Sequence, residues 1–394
     1  MSQQLISRSE DLKRLRNEGY NLEITAGHLL VREVPYVTAA KAVRTDGVLV
    51  STLTISGDET ATPSGHEVHF VGQEPCDRHG QPLRQIINES RHKALAEGLE
   101  VDHMLSSKPT HGYANYYDKM TAYVNILLGP AQALDESVTP RTFPALEDGA
   151  EGSVFRYIDS ASSRAGIEAI TEKLQLSKVA VVGLGGTGSY ILDLIAKTPV
   201  REIHLFDGDS FLNHNAFRAP GAPTLETLRA KPSKVEYFAD VYSNMREGIV
   251  AHVENIDTAN VAKLDEMEFV FLCLDAGGGK RLATERLERV GVPFIDAGMG
   301  IDERNGALGG IIRTTMSTPA HREARRHISL ADAGGDDEYG QNIQIAELNS
   351  LNAALAVIRW KKHFGFYRDL EHEHQTTYTI DGNQLLNEDQ SDAG

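Results

Sequence analysis

The sequence predicts an α/β chain in two parts, a smaller α+β domain followed by a larger domain built on a parallel sheet covered by helices. Its 394 residues fit two domains better than one by the usual size of a folding unit. Short apolar runs at 179–182, 203–206, 269–274 and 294–295 alternate with amphipathic stretches in the second part only. Between the parts, Gly129-Pro130, Pro140, Pro144 and the run Glu147-Asp148-Gly149-Ala150-Glu151-Gly152 interrupt any apolar period. We therefore expect an N-terminal domain over residues 1–145, a C-terminal domain over 153–380 and an acidic tail over 381–394.

In the first part, Ser9 is placed to cap a short amphipathic helix that stops at Gly19, and strand-like segments follow at 29–37, 48–55 and 67–71. The tyrosine-rich piece 113–128 reads as a packed helix or strand. His66, His69, Cys76 and His79 are zinc-binding residue types. Alternation along a strand nevertheless puts His66 and His69 on opposite faces, and Cys76-Asp77-Arg78-His79-Gly80 reads as a turn. In the second part, Ile191, Leu192, Leu194 and Ile195 mark one helix face, residues 280–290 a second helix and 342–363 a long closing helix. The tail carries Asp381, Glu388, Asp389 and Asp392 with no basic residue and is expected to be solvated.

A composition of 41% hydrophobic and 24% charged residues is that of an ordinary globular protein, and no apolar run approaches bilayer-spanning length. The formal net charge of −17 disfavours nucleic acid and anionic membranes as partners. Only Cys76 and Cys273 occur, and the first residues lack a signal-type apolar core, which points to a cytoplasmic, disulfide-free protein. Two cysteines cannot build a four-thiolate site, so no zinc is expected.

The strongest local signal is an apolar run entering Gly183-Leu184-Gly185-Gly186-Thr187-Gly188 and then a helix. Glycines there permit a tight turn and let backbone N–H groups at a helix N-terminus approach phosphates. Asp207, closing the next apolar run, can accept both ribose hydroxyls. Asn215 and Arg218, with Lys231 and Lys234 after them, supply polar and cationic groups that a triphosphate site needs and a nicotinamide site does not. Asp275 closes the run 269–274 at the carboxyl edge of the sheet, where ligands bind in such folds, and can position magnesium.

Together these residues resemble the ThiF/MoeB and ubiquitin-activating-enzyme superfamily over residues 154–367. The family pattern of Gly-x-Gly-Gly-x-Gly, Asp-x-Asp, Asn-x-x-Arg, a lysine before a helix and a strand-ending Asp falls on Gly183, Gly185, Gly186, Gly188, Asp207, Asp209, Asn215, Arg218, Lys234 and Asp275. Asn255 resembles a second family asparagine near the nucleotide, and the context Pro232-Ser233-Lys234-Val235-Glu236 favours Lys234 over Lys231. The resemblance implies a Rossmann-like ThiF-type adenylation domain with a mixed sheet, ATP and Mg2+, and a homodimer. It also implies the C-terminal tail of a ubiquitin-like protein as substrate and a conjugating-enzyme-like partner. The N-terminal part resembles a domain attached to some bacterial ThiF-type proteins encoded beside ubiquitin-like conjugation genes, which implies partner recruitment. Two alternatives stand beside this one. The first is a tRNA- or small-molecule-modifying ThiF-type adenylyltransferase, whose tRNA version the net charge disfavours. The second is a non-catalytic nucleotide-binding scaffold.

Departures from the family pattern matter as much. Relatives often open with Arg-Tyr-x-Arg-Gln, whereas Arg156-Tyr157-Ile158-Asp159 puts an acid in the place of the second arginine, leaving Arg164 as the substitute. The asparagine that usually follows the strand-ending Asp is Ala276. Relatives that pass the tail on through a thioester carry a cysteine in the crossover, here 319–341, which has none, while Cys273 lies in an apolar strand. The expectation is direct handover from the adenylate, or an oxyester on Ser317, Thr318 or Ser329 with His321 or His327 as base. The basic run His321-Arg322-Glu323-Ala324-Arg325-Arg326-His327 is either a solvated face or a docking surface for an acidic tail.

Overall fold

The computed structural model describes residues 2–148, 152–330 and 343–390. By contacts the chain divides into two compact units, Met1–Gly152 with Tyr157–Arg164, and Ser153–Arg156 with Ala165–Gly394.

The first unit runs α1 (Ser2–Arg8), α2 (Glu10–Asn17), β1 (Asn21–Thr25), β2 (His28–Val37), β3 (Val43–Thr52), β4 (Ile55–Ser56), β5 (Glu59–Thr60), β6 (Glu67–Val71), β7 (Ile87–Ala96), β8 (Leu99–Ser106), α3 (Tyr116–Gln132) and α4 (Ser160–Ala165). Six strands form an antiparallel sheet in the order β1-β2-β3-β6-β8-β7, while β4 and β5 pair separately. Leu12 and Leu15 of α2 are fully buried, but the hydroxyl of Ser9 accepts the N–H of Thr60 at 2.9 Å instead of capping its own helix. The tyrosine-rich piece is helix α3, capped by Asn115, whose side chain accepts the N–H of Asp118. Tyr116 and Tyr123, two helical turns apart, are both fully buried; their hydroxyls accept the N–H groups of Thr54 and Ser107 and donate to the carbonyls of Thr52 and His66. Strand β7 has no apolar alternation to reveal it, whereas β8 buries Leu99, Val101, His103 and Leu105 in strict alternation.

Lys119, on the sheet-facing side of α3, is 2% exposed, and its ammonium donates to the hydroxyl of Ser51 at 2.9 Å. Burial pushes its pKa from the ordinary 10.5 down to about 8. Between these values the unfolded chain binds more protons than the folded one, so stability of the unit rises with pH across that window. Lys119→Met should therefore stabilise the unit by roughly 1–3 kcal/mol at neutral pH and flatten the rise, read as urea midpoints of wild type and variant across the window.

The second unit runs α5 (Glu168–Thr171), β9 (Lys178–Val182), α6 (Gly186–Ile195), β10 (Glu202–Phe206), α7 (Asn213–Ala216), α8 (Leu225–Ala230), α9 (Lys234–Ser243), β11 (Ile249–His252), β12 (Phe269–Leu272), α10 (Gly278–Val290), β13 (Phe294–Arg304), β14 (Ala307–Ser317), α11 (Ala346–His363), β15 (Glu373–Thr379) and β16 (Gln384–Gln390). The eight strands lie in the order β11-β10-β9-β12-β13-β14-β15-β16. The first five are parallel, and β14, β15 and β16 add antiparallel, so the sheet is mixed as expected. Alternate residues of β9 supply both faces: Val179 and Val181 join a core with Ile191, Phe238 and Trp360, and Ala180 and Val182 join one with Ala283 and Leu287. The chain travels outward through β9, β10 and β11, then returns to β12 on the other side of β9. A crevice therefore opens between β9 and β12 at their carboxyl ends.

The acidic stretch expected to be solvated is exposed over 381–388, but it forms strand β16 as far as Gln390 where partial disorder was expected, with Leu385 opposite Tyr378 and Asn387 opposite Thr376. Its turn is closed by Asn383 in the left-handed region, whose side chain accepts the Tyr378 hydroxyl at 2.9 Å, and by Asp381, which accepts the N–H of Gly310. Asp392 lies outside the described residues. Arg246, fully buried, donates to the carbonyls of Ala196, Thr198, Val200, Arg201 and Glu247, tying the exit of α6 to the start of β10. Among the described residues no helix is long and apolar enough to cross a membrane.

Candidate functional site

The glycine-rich segment leaves β9 at the crevice, and three of its four glycines have a steric reason to be there. Gly183 has φ +90°, and a Cβ on it would lie 2.5 Å from the carbonyl oxygen of Cys273. A Cβ on Gly188 would stand 1.9 Å from the carbonyl oxygen of Gly183, and one on Gly186 would meet the Asn349 amide at 1.9 Å. Gly185 is the N-cap of α6, so the first N–H groups of that helix open toward the crevice.

Asp207 follows β10 and is 7% exposed. Its carboxylate accepts the N–H of Leu184 at 2.7 Å and the N–H of Asp209 at 2.9 Å, and stands 3.3 Å from the Lys234 ammonium. The acid thus latches the glycine loop, a role that the spacing alone does not reveal. Lys234, 6% exposed at the first position of α9, also reaches Asp209 at 2.7 Å. Ser233 caps that helix by accepting the N–H of Glu236. Lys231 is exposed and left-handed, with φ 49°, ending α8, so the two lysines part company. Asn255 accepts the N–H of Gly208 at 3.1 Å and holds the backbone between the two aspartates.

Asn215 is 3% exposed and folds back to accept the N–H of Leu212 at 2.9 Å. Its Nδ2 is buried with no hydrogen-bond partner, and so are Nε of Arg218 and Oε1 of Gln344. Two of these three lie by the glycine loop. Gln344 Oε1 stands 3.9 Å from where a Cβ of Gly185 would be, and the Arg218 carbonyl accepts Nδ2 of Asn349, whose Oδ1 accepts the Thr187 hydroxyl. Orphaned buried donors and acceptors are rare in folded proteins, and their gathering beside a glycine loop fits a ligand carrying both oxyanions and amines. Asp275 is exposed, just past β12. Among the described residues no three His, Cys, Asp or Glu side chains stand together as a metal cage. A single carboxylate is what magnesium uses when substrate phosphates complete its shell, so Asp275 fits that ion. Gln344 and Asn349 escaped the sequence reading because they flank or lie on a helix, where amides ordinarily face water; only their periodicity with buried Asn352 and Ala353 marks the face.

Other expected residues fall elsewhere. Asp159 accepts the N–H groups of Ala161 and Ser162 at the start of α4, which accounts for an acid where relatives carry arginine. Arg164, in the first unit, stacks over Phe143 with its guanidinium 5.5 Å from the ring centroid. Ser317 is 1% exposed and opposite Phe294, and Thr318 follows it with its hydroxyl accepting the N–H of His321. Both stand at the amino ends of the parallel strands, the end opposite to the glycine loop. Ser329 is exposed; the crossover beyond it, residues 331–342, lies outside the described residues. Within the basic run Arg325 pairs with Glu288 at 2.6 Å and His327 stands 3.9 Å from Glu388, so part of its charge is met by the unit's own acids. His321 stacks on His374 with centroids 4.0 Å apart.

At that same amino end a cavity of about 340 Å³ is lined by Thr318, Arg359, Lys362, Asp369 and His374 among others. Arg359 and Lys362 are paired with Asp369 and Glu373, so the cavity's charges are internally matched. Burial and the neighbouring His321 push His374 from the ordinary 6.5 down to about 4. The stability this neutral imidazole contributes is complete above about pH 6.5 and is lost as pH falls toward 4. His374→Gln should make the unfolding midpoint of this unit less acid-sensitive by roughly 1–3 kcal/mol over that window, measured by urea titration at several pH values.

Residues 160–333 match the family model described as ThiF family, and residues 10–160 match one described as Domain of unknown function (DUF6791). Among solved structures, E. coli MccB with ATP is 18% identical, covering 58% of this chain and 67% of that one at a TM-score of 0.46. E. coli MccB with selenomethionine MccA is 17% identical, covering 59% and 70% at 0.47. Selenomethionine PaaA is 18% identical, covering 56% and 75% at 0.43. No curated protein matches the chain.

Proposed function

We propose, starting from the match of residues 160–333 to the ThiF family model, that the protein activates a carboxylate by adenylation with ATP, the carboxylate being the C-terminal tail of a ubiquitin-like protein. The observation that carries this reading is the set of unpartnered Asn215 Nδ2, Arg218 Nε and Gln344 Oε1, the last two belonging to residues by the glycine loop that Asp207 latches. In the step proposed, an oxygen of the tail carboxylate attacks the α-phosphorus of ATP. A P–O bond forms, the bond to the β-phosphate breaks, and pyrophosphate leaves with its electron pair. Loop N–H groups hold phosphate oxygens, Asp207 keeps a free lone pair for the ribose, and Asn215, Arg218 and Lys234 meet the charge gathering on pyrophosphate. Magnesium held at Asp275 would neutralise part of that charge.

Transfer onward from the adenylate goes directly to an acceptor or through Ser329, since Ser317 and Thr318 are inside the unit. A homodimer and a conjugating-enzyme-like partner follow from the family resemblance. ATP–pyrophosphate exchange with a panel of ubiquitin-like proteins ending in glycine tests the reading. Exchange that appears only with one such partner supports it. ATP binding without exchange from any protein, tRNA or small carboxylate would leave the scaffold alternative, and exchange driven by tRNA or a small carboxylate would move the substrate class.

A further inference from the structure

Asp275 lies in the short connection between β12 and α10. The connection from β12 ends at Gly277, with φ +152°, and α10 opens on Gly278-Gly279; nothing lies within 4 Å of a Cβ at Gly277 or Gly278, while one at Gly279 would stand 3.1 Å from the carbonyl oxygen of Ile256. Three successive glycines give this stretch more conformational freedom than any other side chains would. The first side chain after them is Lys280, 3% exposed, with its ammonium 2.6 Å from Asp296 on β13, a residue with no exposure at all. Asp296 lies opposite Leu272, the last residue of β12. Arg313 of β14 approaches the other carboxylate oxygen at 3.6 Å. Lys280 thus spends its charge within the protein, tying the first turn of α10 to β13, the strand beside β12.

We propose that the Lys280–Asp296 pair is a clamp that positions Asp275 at the carboxyl edge of the sheet. The two are positioning residues: neither touches the nucleotide, and both act through the backbone that carries the magnesium-holding carboxylate. The inference rests on the adenylation reading for what Asp275 does, and on geometry alone for how it is held.

Two measurements on the full chain test it. In the first, amide hydrogen exchange is followed over residues 273–282 in wild type, Lys280→Met, Lys280→Arg and Asp296→Asn. The clamp predicts exchange there about tenfold faster in Lys280→Met and Asp296→Asn, restored in Lys280→Arg, with strand β10 unchanged. In the second, the Mg2+ concentration giving half-maximal pyrophosphate exchange should rise by about 10–100-fold in Lys280→Met with KM for ATP at saturating Mg2+ little changed. Combining Lys280→Met with Asp275→Asn should then be no slower than Asp275→Asn alone. Unaltered exchange over 273–282, or losses that multiply with Asp275→Asn, would overturn the clamp. Should Lys280→Met fail to fold because Asp296 is left uncompensated, the charge-free pair Lys280→Met with Asp296→Leu takes its place under the same criteria. A wild-type protein with no pyrophosphate exchange would sink the adenylation reading, and the first measurement would still decide the clamp.

Discussion

Arg218→Ala is expected to lower ATP–pyrophosphate exchange by about 10²- to 10³-fold while leaving the folding stability of the C-terminal unit within roughly 0.5 kcal/mol. The two halves of this expectation have one cause. Nε of Arg218 is buried without a hydrogen-bond partner, so truncating the side chain removes a desolvated donor that the fold does not use. The same donor becomes useful only when negative charge arrives beside it, and a donor aimed at developing charge acts mainly on the transition state. A loss of exchange accompanied by an equal loss of stability would contradict this account. Lys234 makes an instructive contrast, because it already compensates Asp207 and Asp209, so Lys234→Met would disturb both fold and chemistry.

The largest purely structural effect should come from Arg246→Ala, with a loss of about 3–4 kcal/mol in the C-terminal unit. Five carbonyl oxygens from residues 196–201 and 247 share this one guanidinium, and none of its surface reaches water. Burial brings its pKa down to about 10, which still leaves it charged at neutral pH. Without it those carbonyls are desolvated and unmet, and the cavity left is polar. Lysine would recover little, because three donors on a flexible stem cannot reproduce a planar fork. Urea unfolding of the variant decides the matter: a midpoint change worth less than 1 kcal/mol would mean that water replaces the guanidinium.

The contrast between these two arginines shows what a sequence discloses. The glycine loop was legible because backbone geometry leaves Gly183, Gly186 and Gly188 no substitute, so the chemistry of the turn is written in residue type. Asn215, Arg218 and Lys234 were legible through spacing relative to that loop, and the parallel strands through continuous apolar runs. Arg246 was not, since a buried arginine satisfied by main-chain oxygens has no partner residue to advertise it. Strands β14 and β15 were missed for a related reason. Beside Ile312 and Met316 they bury the polar Thr314, Thr315, Gln375 and Thr376, which break any apolar run, and these polar groups find Asn352, Asn387 and one another. Lys119 was not singled out within the piece 113–128, read as a packed helix or strand, because only packing decides which lysine of a helix faces inward. Strand β16 went unseen because its charges mimic a tail and its pairing is supplied by β15.

The hydrogen bond between the Thr187 hydroxyl and Asn349 joins residues 162 positions apart in the chain. During synthesis the glycine loop, β9 and β10 emerge long before α11 exists to fill the space beneath Gly186. A chain growing at about 5–20 residues per second leaves the loop without that support for many seconds. The loop therefore gains its support only once α11 has been made, and a truncated polypeptide ending before α11 would carry the whole glycine motif yet present it without its floor.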